Sequence, residues 1–146
     1  MPHLRKQLYL SAAENLPVIR CPPERILPAL SDAYRIQNYT DLAAYALAGA
    51  AFFAPECDVR TSLKRAYRAY TDKIHPAQKR DNLRAATLDT MQILRQNAHT
   101  ELQREKCAHS LLHLADCALR VCVEDAMQAQ PDPDEVESET VTGMVT

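Results

Sequence analysis

The 146-residue chain has only two glycines and no long apolar run. Because sheet proteins depend on glycine-rich turns, this shortage favours helices over a β-rich fold. A phosphate-binding glycine loop is absent, and so are the HExxH pattern of zinc proteases and the CxxC spacing of many metal and redox sites. No stretch is apolar enough for a secretory signal or a membrane span. We therefore expect one helical protein without membrane insertion.

Cysteine usage and charge set the expected compartment and class of partner. The five cysteines form an odd set without paired spacing, which predicts a reducing intracellular compartment, in the first place the cytoplasm. Residues 1–20 are basic and leucine-rich before Glu14, a pattern shared by mitochondrial presequences and by ordinary amphipathic helices. The formal net charge of -2 argues against nucleic-acid binding. Since residues 64–84 are basic and the tail after residue 131 is acidic, protein partners are favoured.

Helical periodicity and capping signals divide the chain into helices joined by short connections. The predicted helices cover residues 2–15, 24–36, 41–54, 58–74, 82–96 and 100–130. Pro28 is expected to be tolerated only in the first turn of the second helix. Residues 78–130 contain neither glycine nor proline, but one helix of that length would span roughly 80 Å. We therefore expect a break between Asn97 and Thr100, where Thr100 and Gln103 have the capping-box form. Residues 131–146 are expected to form a disordered acidic tail.

Residues 63–77, Leu-Lys-Arg-Ala-Tyr-Arg-Ala-Tyr-Thr-Asp-Lys-Ile-His-Pro-Ala, join an amphipathic basic helix to a His-Pro turn. One side of that helix is predicted to pack, through Leu63, Ala66, Tyr67, Tyr70 and Ile74. The side chains predicted to point away are Lys64, Arg65, Arg68 and Lys73. Asp58 is the expected N-cap, and Pro76 is expected to close the helix because it disfavours helical geometry in the residue before it.

This segment resembles the second helix and signature loop of a J-domain, the DnaJ-type co-chaperone module. In that family the basic helix docks on an Hsp70 partner, and a His-Pro-Asp tripeptide triggers ATP hydrolysis in the partner. Here Ala77 takes the place of the aspartate. A loop carboxylate can make charge-assisted hydrogen bonds to a partner's arginine, whereas a methyl group cannot. The resemblance thus implies Hsp70 docking without robust ATPase stimulation, through Lys64, Arg65, Arg68, Lys73, His75 and Pro76.

The resemblance also implies an architecture. The expected fold is all-α: a J-domain-like antiparallel hairpin in residues 40–99, with N-terminal helices in residues 1–39 and an apolar helix in residues 100–130 completing a small bundle. The third J-like helix would pack on the second, with Leu83, Leu88, Met91 and Leu94 against Leu63, Tyr67, Tyr70 and Ile74. The competing interpretation is an ordinary amphipathic helix followed by a proline stop.

The apolar C-terminal helix has two possible environments. A helix that is apolar almost all round is either buried within a bundle or covered by a partner. The N-terminal helices could cover it, or it could form an assembly surface through Leu111, Leu114, Ala118 and Val121.

The same helix carries the strongest candidates for metal chemistry. Residues Glu105, His109, His113 and Cys117 follow one another at intervals of four, so they share a helical face. His109 and His113 could bind one ion, although four ligands on successive turns extend over about 18 Å and cannot all converge. No cofactor is expected, and no loop for a nucleophilic cysteine is evident.

The predicted function is therefore non-catalytic. The chain is expected to be a degenerate Hsp70 co-chaperone or regulator, or an adaptor, that acts through protein contacts. The alternative is a structural subunit of a larger assembly, and a minor alternative is a metal-binding helical protein.

Overall fold

Helices make up the fold of the computed structural model, which describes residues 2–67, 75–96 and 101–129. In chain order these helices are α1 (Pro2–Asn15), α2 (Pro23–Arg35), α3 (Tyr39–Phe53), α4 (Val59–Ala66), α5 (Pro76–Gln96) and α6 (Glu101–Ala129). The described parts of the chain contain no strand. The predicted all-α small bundle is thus confirmed. None of the described helices combines the length and apolarity needed to cross a bilayer.

Local polar groups explain where several helices begin. The side chain of Asn38 accepts the Asp41 N–H at 3.1 Å and caps α3, which begins two residues before the predicted start at residue 41. Asp58 caps α4, as predicted, by accepting the Thr61 N–H at 3.1 Å. These acceptors satisfy backbone donors that have no partner within the first turn of a helix.

Prolines behave differently from two of the expectations. Pro28 lies in the interior of α2, where its ring is exposed and the helix continues around it. Pro76 is the first residue of α5, so the predicted start of this helix at residue 82 is wrong. The physical reason is that proline has a helical φ and lacks only an N–H that a first-turn residue would leave unbonded. The predicted helix of residues 58–74 is described only as far as α4, and residues 68–74 lie outside the described residues.

The long helix α6 forms the centre of the bundle, with α1, α3, α4 and α5 packed around it. Helix α5 runs antiparallel to it, since Lys79 contacts Glu124 at one end and Thr90 Oγ1 donates to the Ser110 carbonyl near the other. Helix α5 ends at Gln96 and α6 begins at Glu101, on either side of the predicted break, whose residues 97–100 lie outside the described residues.

Helix α3 approaches α6 closely because its facing side chains are small. Ala43, Ala46 and Ala50 are buried there. At Gly49 even a methyl group would crowd its surroundings, since a Cβ would lie 2.9 Å from Leu111 Cδ1 and 3.3 Å from Ile26 Cγ2. The small residues of α3 thus let Leu111 of α6 approach the α3 backbone.

The predicted pairing of the second and third J-like helices is not found in the described residues. Helix α4 packs on α1, α3 and α6, whereas α5 packs on α6 and α2, and the described parts of α4 and α5 do not contact each other. Leu63, Leu83 and Met91 are buried, but Leu88 is 55% exposed. Tyr70 and Ile74 lie outside the described residues. The physical reason is that α6 offers the larger apolar surface and takes up the apolar face of α5.

Candidate functional site

A groove of about 810 Å³ lies where the end of α4, the first half of α5 and the middle of α6 meet. Helix α4 contributes Ala66 to its wall. The two longer helices contribute polar and small side chains: Lys79, Asn82, Ala85, Ala86, Asp89, His113, Asp116, Cys117 and Arg120. The groove thus brings together amine, guanidinium, carboxylate, imidazole and thiol groups.

One end of the groove is held by an ion network that links three helices. Lys79 Nζ lies 2.6 Å from Glu124 Oε1, and Arg5 Nε lies 3.2 Å from the same oxygen. The Lys79 and Glu124 side chains are only 4% and 8% exposed. A buried charge needs such a counter-charge, because leaving water costs several kcal/mol per ion. This network fixes α1 and α5 against α6.

A second polar cluster surrounds Asp116 in the middle of α6. Tyr9 OH donates to Asp116 Oδ1 at 2.5 Å and also lies 3.1 Å from the Leu63 carbonyl. Arg120 Nε donates to Asp116 at 3.1 Å, and its Nη2 donates to the Ala66 carbonyl. Burial, together with the nearby Asp116 carboxylate, raises the pKa of Tyr9 well above its ordinary value, so this phenol remains a donor. The cluster places α1 and α4 against the groove.

Three potential metal ligands lie on one turn of α6 in the groove. The ligand atoms of His113, Asp116 and Cys117 all lie within 4.8 Å of one another, and Cys117 Sγ is 3.6 Å from His113 Nε2. Asp116 and Cys117 are buried, whereas His113 is exposed. His109 is exposed one turn away and does not belong to this cluster. His113 lies instead with Cys117, which belongs to the predicted helical face, and with Asp116, which the interval of four did not include.

The Cys117–His113 contact does not have the electrostatics of a catalytic dyad. Burial, with Asp116 beside it, raises the pKa of Cys117 to about 11, despite the opposing effect of Arg120. A nucleophilic cysteine needs the opposite shift, because the thiolate is the reactive form.

The predicted docking residues fall into three groups. Arg65 and His75 are exposed, and Pro76 is half-buried. Lys64 forms an ion pair with Glu14 of α1, and this contact holds the pKa of that carboxyl below its ordinary value. Arg68 and Lys73 lie outside the described residues. The His75 ring is also structural, since its Nδ1 accepts the Ala77 N–H at 3.1 Å at the start of α5.

The predicted assembly surface is wrong. Its four members are almost completely buried in the core of this chain: Leu111, Leu114, Ala118 and Val121. The chain's own helices cover α6, which is the other of the two environments that its composition allows.

Sequence analysis missed the ion network and the cluster around Asp116. A signal was present, because Asp116 and Glu124 lie eight residues apart in a stretch whose only other charged residue is Arg120. Two acids on one face of a buried helix require donors from elsewhere. Arg120 on the next turn is one such donor, but the other partners are Arg5, Tyr9 and Lys79, which only the tertiary arrangement brings close.

Comparison of the chain with protein-family models, with curated proteins and with solved structures gave no match.

The cysteines should differ strongly in reactivity. Cys57 is exposed, whereas Cys107 is buried and its burial raises the pKa of the thiol. Alkylation of the native protein with iodoacetamide should label Cys57 roughly a hundredfold faster than Cys107, because Cys107 must wait for local opening. Peptide mass spectrometry over time measures both rates, and equal rates in denaturant are the control. Equal rates in the native protein would contradict this packing of α6.

Proposed function

We propose that the chain is a non-catalytic interaction protein that docks on an Hsp70-type partner through cations beside the His75–Pro76 corner. The observation that carries the proposal is the exposure of this corner together with Arg65. Ala66, next to Arg65, lines the same groove as Lys79, which follows His75 by four residues.

Of the two predicted docking cations that the structure describes, Lys64 and Arg65, the second is the better suited to a partner. It makes no ion pair within the described parts of the chain, whereas Lys64 is engaged by Glu14. An exposed guanidinium can bind a carboxylate in a bidentate manner, which gives direction as well as charge. In the proposal Arg68 and Lys73 extend this basic face along the sequence.

Ala77 determines what docking can achieve. It is exposed in the first turn of α5 and offers a methyl group where the J-domain motif has a carboxylate. In our proposal the chain therefore occupies the docking surface of its partner without accelerating ATP turnover. Such a protein would regulate by competition with an active co-chaperone. The proposal depends on the corner and its cations, and does not require α4 and α5 to pair.

The test is a binding measurement with a purified Hsp70, at low and at high salt. We expect an affinity that falls as salt rises, because exposed charges are screened, and a loss of about tenfold for Arg65→Glu, equal to about 1.4 kcal/mol. The matched control is Arg95→Glu, an exposed arginine at the other end of α5, which should bind like the unchanged protein. ATP turnover should stay at its basal rate in the wild type and rise with Ala77→Asp.

Two outcomes would overturn the proposal. Absence of binding at low salt would exclude docking on the Hsp70 tested. Equal losses for Arg65→Glu and Arg95→Glu would show that net charge, and not the His75–Pro76 corner, accounts for the binding.

A further inference from the structure

The cluster of His113, Asp116 and Cys117 has properties beyond a docking function. These side chains supply a nitrogen, an oxygen and a sulfur, the three ligand types that zinc takes from proteins. They occupy positions i, i+3 and i+4 of α6, so a rigid helix holds them on one face. All three line the groove between α5 and α6. The cluster therefore has both suitable chemistry and a route for an ion to enter.

The spacing of the cluster can be compared with that of a zinc site. With Zn–S about 2.3 Å and Zn–N about 2.0–2.1 Å at a tetrahedral angle, the sulfur and nitrogen must be about 3.6 Å apart. Cys117 Sγ and His113 Nε2 are 3.6 Å apart. The ligand oxygen of Asp116 lies within 4.8 Å of both of these atoms. The histidine and cysteine are thus already placed as two ligands of one tetrahedral ion.

The surroundings of Asp116 favour a fixed ligand geometry. Tyr9 and Arg120 hold its carboxylate from the side of α1 and from the next turn of α6. A carboxylate has about four lone-pair positions on its two oxygens, so these donors leave room for an ion. Groups that hydrogen-bond a ligand orient it and support metal affinity. Asp89 of α5 lines the same groove but does not belong to this cluster.

We propose that His113, Asp116 and Cys117 bind a zinc-class divalent cation in the groove between α5 and α6. Binding forms a metal–sulfur bond and releases the thiol proton of Cys117 to solvent, without any redox step. The site is separate from the docking residues Arg65 and His75, so it does not depend on the proposed Hsp70 interaction.

The experiment uses the tag-free full-length chain and Co²⁺, which reports thiolate coordination by its charge-transfer absorption. We expect saturation at one ion per chain and displacement of Co²⁺ by Zn²⁺. His113→Ala should weaken binding by more than about tenfold, and Cys117→Ser should remove the charge-transfer band. Since His113 is exposed, its replacement leaves the fold intact, which the circular dichroism of the variant verifies.

Two matched controls locate the site. His109→Ala removes an exposed histidine one turn away, and Cys122→Ser removes the next cysteine of the same helix, so both should bind like the wild type. The proposal is overturned if the wild type gives no charge-transfer band with excess Co²⁺. It is also overturned if Cys117→Ser keeps the band, or if His109→Ala weakens binding as much as His113→Ala.

Discussion

Replacement of Glu124 by Gln should lower the free energy of unfolding by about 3–5 kcal/mol and the melting temperature by roughly 10–20 °C. The substitution keeps the shape of the side chain and removes its charge. The Lys79 ammonium, 4% exposed, then loses the carboxylate that lies 2.6 Å from it. Less opposite charge then offsets its burial, and Arg5 loses the same partner. Thermal and urea unfolding followed by circular dichroism measure the effect.

The neighbouring residue provides a matched control. Asp125 forms an ion pair with Arg80, in which both side chains are nearly half exposed. Asp125→Asn should therefore cost less than about 1 kcal/mol, because water already solvates both charges. The contrast between adjacent positions of α6 separates the effect of burial from that of charge removal. If Glu124→Gln were as mild as Asp125→Asn, the Lys79–Glu124 pair would not be desolvated in solution.

A double variant tests the physical reason. Lys79→Met with Glu124→Gln removes both buried charges and fills the space of the lysine stem with an apolar chain. Glu124→Gln alone leaves the Lys79 ammonium buried without this carboxylate, whereas the double variant removes the ammonium as well, so it should be more stable than Glu124→Gln alone. A double variant that is less stable than either single variant would show that Lys79 contributes through other contacts.

The central position of α6 could be predicted from its sequence, but its covering could not. An all-round apolar helix must be buried whatever the fold, so local composition is sufficient for that conclusion. Which surface covers it depends on the small residues of α3, such as Ala46 and Gly49, which allow close approach. The sequence does not show that these small residues allow close packing, because it does not show that Leu111 lies opposite them. The assembly surface was wrongly predicted for this reason.

The His75–Pro76 dipeptide shows a second limit of sequence analysis. Proline was expected to end a helix, because it disfavours helical geometry in the residue before it. The same residue is also a preferred first residue of a helix, and in this chain it begins α5. The two rules are compatible, because His75 before the proline is not helical, but the prediction used only the first of them. The metal cluster was also predicted only in part. The interval of four identified the helical face of His113 and Cys117, but it did not include Asp116.

Leu111→Ala should lower the free energy of unfolding by about 2–5 kcal/mol, because Leu111 is fully buried against α3 and its removal leaves a cavity. The matched control is Leu102→Ala in the same helix, where the side chain is 76% exposed and the change should stay within about 0.5 kcal/mol. Urea unfolding gives both values, and sedimentation gives the oligomeric state. If Leu111→Ala left the stability unchanged and altered the oligomeric state, the hypothesis that Leu111 belongs to an assembly surface would be supported instead.

The contact between Leu111 and Gly49 allows the same prediction to be tested in the opposite direction. In the wild type a Cβ at position 49 would lie 2.9 Å from Leu111 Cδ1, so Gly49→Ala alone gains helix propensity of about 1 kcal/mol but meets a close contact. In Leu111→Ala that methyl group is gone. The added Cβ then fills part of the cavity, and the double variant should recover more stability than Gly49→Ala gives the wild type. Equal effects in the two backgrounds would mean that α3 and α6 do not meet at these residues, and the burial of α6 by α3 would have to be abandoned.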